Sequence, residues 1–581
     1  MSVMGTESYV PVCDLSDLEA EGRTVVSEDG QAIALFYHEK EVYAVDNRCP
    51  HMGFPLVRGT VDEGVLTCHW HHARFELEEG DTFDPWADDV QTFPVELRDG
   101  RVFLDPDPEP TVDPATRWRN RLADGLQEDI PLVMAKATIG LDEEGMGFET
   151  PLRTAVDFGT KYRASGWGRG LTTLSYMAEL YPQVGGRDKR RAMFTGVREV
   201  ADDVAGEAPR FQQYAFRNRD LPKPRLKSWF RENCEVRDAD GAERTLLTAI
   251  DALSPEGVVE MLVAAATDHL YMDASHTLDF LNSALSTLEH LGWDDHAPAV
   301  LASTVPRFTD ATRSEELSSW RQPVDIAALC FDAHDRLDDL VAAGRSREWT
   351  EPDGFVETLL ADDPDAIIEA LCDAIADGAT QRELTDAVAR AATRRVAYFA
   401  TNNEFSDWDT VHHTFVYANA AHELAARTDA TELYRACFDG AMSVYLDRFL
   451  NSPRAPVPDA DGGRAPEAIR SEILDALDEQ GGVNRTASLV VEHFESDGDP
   501  ADLERVLGRG LLREDADFHT LQNVGAAFRR FDALEAPDEQ RLALVATARY
   551  LAAHTPTRRE FEGTFSIATR LHRGERLHEA E

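Results

Sequence analysis

The feature that most constrains this chain is a pair of short clusters, Cys49-Pro50-His51 and Cys68-His69-Trp70-His71, with sixteen residues between His51 and Cys68. Each cluster joins one thiol to one imidazole. If the two loops converge, they supply two thiolates and two imidazoles, a set that can hold a two-iron cluster with sulfur on one iron and nitrogen on the other. Thiolate suits the iron that stays ferric, and neutral imidazole makes its partner easier to reduce, so the chemistry is one-electron transfer. A zinc site would use the same inventory, but zinc pairs are usually matched in kind, Cys with Cys and His with His.

The stretch from Tyr9 to Asp105 resembles the Rieske [2Fe-2S] family, on these clusters and on the following Ala73-Arg74-Phe75-Glu76-Leu77-Glu78-Glu79-Gly80, similar to the aromatic-then-glycine tail of the ferredoxin and oxygenase branches. The resemblance implies Cys49, His51, Cys68 and His71 as ligands of a [2Fe-2S] cluster, with His69 and His72 exposed or outside the first shell. The quinol-oxidising branch carries extra cysteines beside each pair. Here the neighbours are Met52, Gly53, Phe54 and Trp70, with no sulfur for a disulfide. Ala73 and Phe75 offer no hydroxyl to raise the potential, so a low-potential, ferredoxin-like or oxygenase-like centre is expected.

At 581 residues the chain exceeds one hydrophobic core. No apolar run approaches the roughly 20 residues that span a bilayer, and Met1 to Glu7 lacks a basic segment leading into an apolar one. A cytoplasmic protein with no membrane partner is expected. The other five cysteines, Cys13, Cys234, Cys330, Cys372 and Cys437, are too scattered for a disulfide framework. The net charge of -49, from 107 acidic and 58 basic residues, is spread along a chain that is 43% hydrophobic. Distributed acid, with arginine far outnumbering lysine, reads as adaptation to a salt-rich, halophilic cytoplasm and argues against nucleic-acid partners.

The expected fold class is multidomain α+β: a small antiparallel β domain over 8–105, a Pro/Asp-rich linker over 106–116, and an all-α body over 117–581. Ala32–Tyr37 and Glu41–Val45 flank a His-Glu-Lys turn, Gly64–Thr67 leads into the second ligand loop, and Asp99-Gly100 is a tight-hairpin signal. Asp105-Pro106-Asp107-Pro108-Glu109-Pro110 can form neither helix nor central strand. Beyond Ala115, apolar residues recur at three and four in a long series of segments from Gly170 to Ala553. A break at 453–464 reads as an exposed loop or a subdivision of the body.

Ring-hydroxylating oxygenases pair a Rieske domain with iron held by two histidines five apart and a carboxylate. No such histidine pair follows the linker, and the helical pattern conflicts with their sheet-rich catalytic domain. The body instead repeats a helix opening in which an acidic residue precedes a His-Thr pair: Asp273/His276, Asp409/His412/His413 and Asp515/Asp517/His519. Two readings stand side by side: acidic helix caps, or a catalytic histidine cluster that could bind an additional iron in the helical body. The candidates are His276, His413 and His519, with His269 and His412 next. His269 would share a face with His276 if one helix ran through both. Ser254 to Ala553 resembles the questin oxidase-like family on these residue groups. Members are helical proteins associated with Baeyer-Villiger-type ring oxygenation, which implies an oxygenase role for the body.

The expected function is a Rieske-dependent oxidoreductase whose cluster relays single electrons to the helical body, with oxygenation of a small organic substrate there. Its donor would be an NAD(P)H-dependent reductase or a ferredoxin. The alternative is an electron carrier or redox sensor fused to a helical docking scaffold.

Overall fold

The computed structural model describes residues 9–28, 30–575 and 577; Met1 to Glu7, on which the leader reading rests, lie outside them. Nine strands occupy the start of the chain: β1 (Val10–Asp14), β2 (Arg23–Glu28), β3 (Gln31–His38), β4 (Glu41–Asp46), β5 (Thr60–Asp62), β6 (Val65–Thr67), β7 (Arg74–Glu76), β8 (Val95–Arg98) and β9 (Arg101–Leu104). They form three antiparallel three-stranded sheets, ordered β1-β9-β8, β2-β3-β4 and β5-β6-β7. Period-two alternation sets the layering. In β3, Ala34 and Phe36 pack with Cys49, Leu66, Cys68 and Phe75, while Ile33 and Leu35 pack with Leu18, Phe93, Val102 and Leu104. Both faces of β3 are therefore buried. The tight turns fall where they were expected, with Glu39 and Lys40, and again Asp99 and Gly100, at positive φ.

The chain divides into two compact units, 1–154 with 560–581, and 155–559. The division does not fall at 106–116. Asp113 caps a helix that begins at Pro114, and that helix (Pro114–Gln127), the next (Pro131–Glu143) and the last (Glu560–His572) belong to the β unit. The reason is a buried ion cluster: Arg121 and Lys136, one on each of the first two helices, both reach Asp88 in the loop before β8, at 3.1 and 2.9 Å.

Every regular element among the second unit's described residues is a helix. Three of its helices open with a polar cap followed by proline, at Ser254-Pro255, Asp363-Pro364 and Asp499-Pro500, where the cap oxygen takes an orphan backbone N–H. The 453–464 stretch carries no regular element and does not divide this unit. Ala455 N donates to Tyr398 O at 3.0 Å and the Arg549 guanidinium donates to Pro456 O at 2.6 Å, fastening the stretch to the helices beneath it. No helix among the described residues is long and apolar enough to cross a membrane.

Candidate functional site

The two Cys/His loops are built alike. The first follows β4 and closes where Cys49 N donates to Phe54 O (2.8 Å); the second joins β6 to β7 and closes where Cys68 N donates to Ala73 O (2.8 Å). Gly53, at φ 80°, and His72, at φ 63°, supply the left-handed residues that such tight closures require. Cys49 and Cys68 are both buried, and their sulfurs lie within hydrogen-bonding reach of each other. Backbone N–H groups of His51 and Met52 point at the Cys49 sulfur, and those of Trp70 and His71 at the Cys68 sulfur. The bond from Cys49 and these amides hold Cys68 down to about 6, whereas the bond to Cys68 and burial push Cys49 up. One sulfur of the pair is thus favoured as a thiolate while the other keeps its proton.

The two imidazoles meet edge to face with ring centroids 4.9 Å apart. His51 packs against Trp86, while His71 lies exposed against the Trp70 ring at 4.4 Å. Burial, with the neighbouring His71 and Lys136, lowers His51 to about 4, so it is a neutral donor at ordinary pH. Its Nδ1 is buried with no hydrogen-bond partner, an expense that a metal bond would remove. Two adjacent thiols, four amides aimed at them and an orphaned imidazole nitrogen fit a cluster with mixed sulfur and nitrogen ligation. His69 and His72 are exposed.

This geometry suits an iron–sulfur cluster and the one-electron transfer that such a cluster supports. Residues 8–94 match the Rieske [2Fe-2S] domain, and through them the chain belongs to the Rieske [2Fe-2S] family. The ferredoxin component of the alkene monooxygenase system of Xanthobacter autotrophicus is 35% identical over 103 residues, 18% of this chain and 84% of that protein. The ferredoxin component of the naphthalene 1,2-dioxygenase/salicylate 5-hydroxylase systems of a Ralstonia species is 30% identical over 100 residues, 17% of this chain and 96% of that one. The solved ferredoxin of carbazole 1,9a-dioxygenase from Nocardioides aromaticivorans is 24% identical and covers 17% of this chain and all of its own, with a TM-score of 0.17. The amino-terminal domain binds a [2Fe-2S] cluster, which supports electron transfer.

In the helical unit, three of the five candidate histidines come together. His276 opens the helix His276–Leu291, His413 lies within Phe405–Leu424, and His519 is the second residue of Phe518–Ala533. One ligand nitrogen from each lies within 4.8 Å of the others. His413 Nε2 and His519 Nε2 are 3.2 Å apart, the spacing that two bonds of about 2.1 Å to one ion impose at roughly 100°. Two of the three are oriented by carboxylates. His276 Nδ1 faces Asp279 Oδ2 at 3.1 Å, and His519 Nδ1 faces Asp409 Oδ1 at 3.4 Å. Asp409 also accepts from Tyr550 OH at 3.1 Å, and Asp279 from Ser275 OH at 3.0 Å. A carboxylate behind an imidazole fixes its tautomer and leaves the far nitrogen free to bind metal. Burial, then the charges of His276 and His519, holds His413 down to about 3. Burial also opposes charge on His276, but Asp279 outweighs it and the net shift is upward.

The other two candidates go elsewhere. The helix before His269 ends at Ala266, and Tyr271, Asp273, Ala274 and Ser275 all sit at positive φ, so no single helix carries both His269 and His276. His269 instead bridges Glu315 and Glu235, each at 2.7 Å. His412 is buried with Gln522 at 3.1 Å from one nitrogen and Asn523 at 3.1 Å from the other, leaving neither for a metal. The capping reading holds only for Asp517, which accepts from Thr520 N. Asp409 lies inside its helix, and Asp273 makes no side-chain cap. Asp279 was missed, although a His-x-x-Asp spacing on a helix is the signal for it.

Proposed function

We propose that this protein is a Rieske-dependent oxidoreductase in which a cluster held by Cys49, His51, Cys68 and His71 relays single electrons to an iron held by His276, His413 and His519. The observation that carries this reading is the convergence of those three imidazoles from three separate helices, with two of them oriented by aspartate. The bound cluster supplies one electron at a time. Placing one atom of dioxygen on an organic substrate and reducing the other to water takes two electrons and two protons, so a one-electron centre held by Cys49, His51, Cys68 and His71 would have to deliver twice per turnover. The chain's own part is to aim the imidazoles: burial keeps His413 unprotonated, and Asp279 and Asp409 accept hydrogen bonds from the Nδ1 atoms of His276 and His519. The exposed His71 edge is where a reductase or ferredoxin docks. The distributed acidic surface suits work in a salt-rich cytoplasm.

A second reading is favoured by the two relatives named above, both ferredoxin components. Here the chain is an electron carrier, and the helical unit is a docking scaffold. Metal analysis separates the two. The first expects iron beyond the two atoms of the cluster, lost in His413→Ala while the reduced cluster's electron paramagnetic resonance signal is unchanged. Only cluster iron in the wild-type protein, with His413→Ala identical, leaves the carrier.

A further inference from the structure

A cavity of about 450 Å³ lies within the helical unit, and His413 forms part of its wall. That volume is in the range that holds drug-sized ligands. The lining divides by chemistry. Trp320, Pro323, Val324, Ile326, Leu446 and Phe449 are apolar, while Tyr271, Ser443 and Asp447 bring polar groups to the same space.

The polar side is built and incompletely satisfied. The Tyr271 hydroxyl and Asp447 Oδ2 are buried without a hydrogen-bond partner, and the two residues are 7% and 3% exposed. The Thr414 and Ser443 hydroxyls, bonded to each other at 2.6 Å, lie close to both groups without completing a well-formed hydrogen bond to the Tyr271 hydroxyl or to Asp447 Oδ2. A buried hydroxyl or carboxylate without a partner forfeits its hydration with no return, so both groups favour a ligand that supplies a partner. The charge of that ligand is limited too. A carboxylate would face Asp447, and the Arg448 guanidinium on the same wall is already engaged by Asp362 and by the Tyr445 carbonyl and hydroxyl oxygens. A cation would lie near the buried Arg395 guanidinium, already opposite Asp447. Burial pushes Asp447 up to about 7, which weakens any demand for a counter-ion.

We infer that this cavity is the substrate chamber of the three-histidine site and takes a neutral, largely apolar molecule whose hydroxyl group meets Tyr271 and Asp447. The inference rests on the reading of those histidines as a working site. It adds the class of compound and the two residues that select it. The apolar wall supplies most of the affinity by burying ring or chain surface, and the Tyr271 and Asp447 pair rejects an analogue without the hydroxyl, since that analogue leaves both groups unpaired.

The test uses the full chain with its cluster and three probes, 2-naphthol, naphthalene and 2-naphthoate, titrated by isothermal calorimetry. One 2-naphthol is expected to bind per chain, roughly tenfold more tightly than naphthalene, with 2-naphthoate weakest. Tyr271→Phe and Asp447→Ala should each reduce the preference for 2-naphthol over naphthalene by about threefold or more. Leu446→Trp, which fills the chamber from a half-buried position, should abolish binding of all three while the helical circular dichroism stays unchanged. Equal binding of the three probes, or 2-naphthol binding undiminished in Leu446→Trp, overturns the inference. Metal at the three histidines with no preference for 2-naphthol overturns this inference and leaves the site reading intact. The expected 2-naphthol preference with no metal at the histidines supports the ligand class and overturns the site reading.

Discussion

Lys136 Nζ donates to the carbonyl oxygen of Pro50 at 2.6 Å, placing a buried ammonium on the residue between Cys49 and His51. The same nitrogen lies 2.9 Å from Asp88, which also takes Arg121 at 3.1 Å, and Arg121 in turn pairs with Asp124 at 2.8 Å. Burial opposes charge on Asp88, but Lys136 and Arg121 outweigh it and hold its carboxyl below the usual range. Reducing the cluster would add negative charge close to the Lys136 ammonium, which touches the ligand loop itself. Lys136→Met is expected to lower the reduction potential by tens of millivolts, and Lys136→Arg to restore most of it. A redox titration followed by electron paramagnetic resonance reads the shift. An unchanged potential in Lys136→Met would show that the cation only braces the loop.

Gly80 closes the turn after β7 at φ 86°, and a Cβ there would lie 2.1 Å from Val90 O. The clash is with backbone, which cannot move aside as a flexible side chain would. Gly80→Ala should cost roughly 2 kcal/mol or more, from left-handed strain and overpacking together. Lower iron and sulfide content per chain and an earlier first thermal transition are the expected readouts. A variant with wild-type loading and melting would contradict the close approach.

Asp279 is fully buried and accepts from both His276 and Ser275. Asp279→Asn keeps the size but removes the charge that fixes His276 as a donor through its far nitrogen. Metal affinity at the three histidines should fall by roughly 10–100-fold, measured by competition with a chelator, while the cluster's visible spectrum stays unchanged. An affinity equal to wild type would dismiss the aspartate's orienting role.

His269 provides a pH signature away from both centres. Burial alone would lower it, but the bonds from Glu315 and Glu235 outweigh burial and raise its pKa above the ordinary 6.5. Its charged form therefore stabilises the folded state. That contribution is fully present below the unfolded pKa and is lost as pH rises through the raised folded value. His269→Gln should destabilise the helical unit by about 1 kcal/mol at pH 5.5, with the difference shrinking toward pH 9. Urea midpoints at the two pH values check it, and a difference that grew with pH would reverse the sign.

Much of the amino-terminal unit is legible locally. Glu39-Lys40 and Asp99-Gly100 are turn residues flanked by alternating apolar residues, and the Cys/His spacing belongs to two short loops, so each signal lies within a few neighbouring positions. The helices are legible for the same reason, as at Pro466–Leu477, where the periodic stretch and the helix have the same limits. Lys136 gave no such signal. It sits inside an apolar helix, and its partners Pro50 and Asp88 lie 86 and 48 positions away.

The histidines divide along the same line. Residue order by itself determined that a thiol-imidazole loop pair stands ahead of a helical body, and that imidazoles recur near acidic residues in that body, because ligand spacing and helical periodicity are short-range properties. Only the tertiary structure decided which of them meet. His412 and His413 are adjacent, yet about 100° of helical rotation sends one to Gln522 and Asn523 and the other to His519. His269 is separated from His276 by a turn of left-handed residues that breaks the periodicity. Meeting partners more than a hundred positions apart depends on how whole helices pack, and packing is set by the summed burial of many side chains rather than by any local pattern.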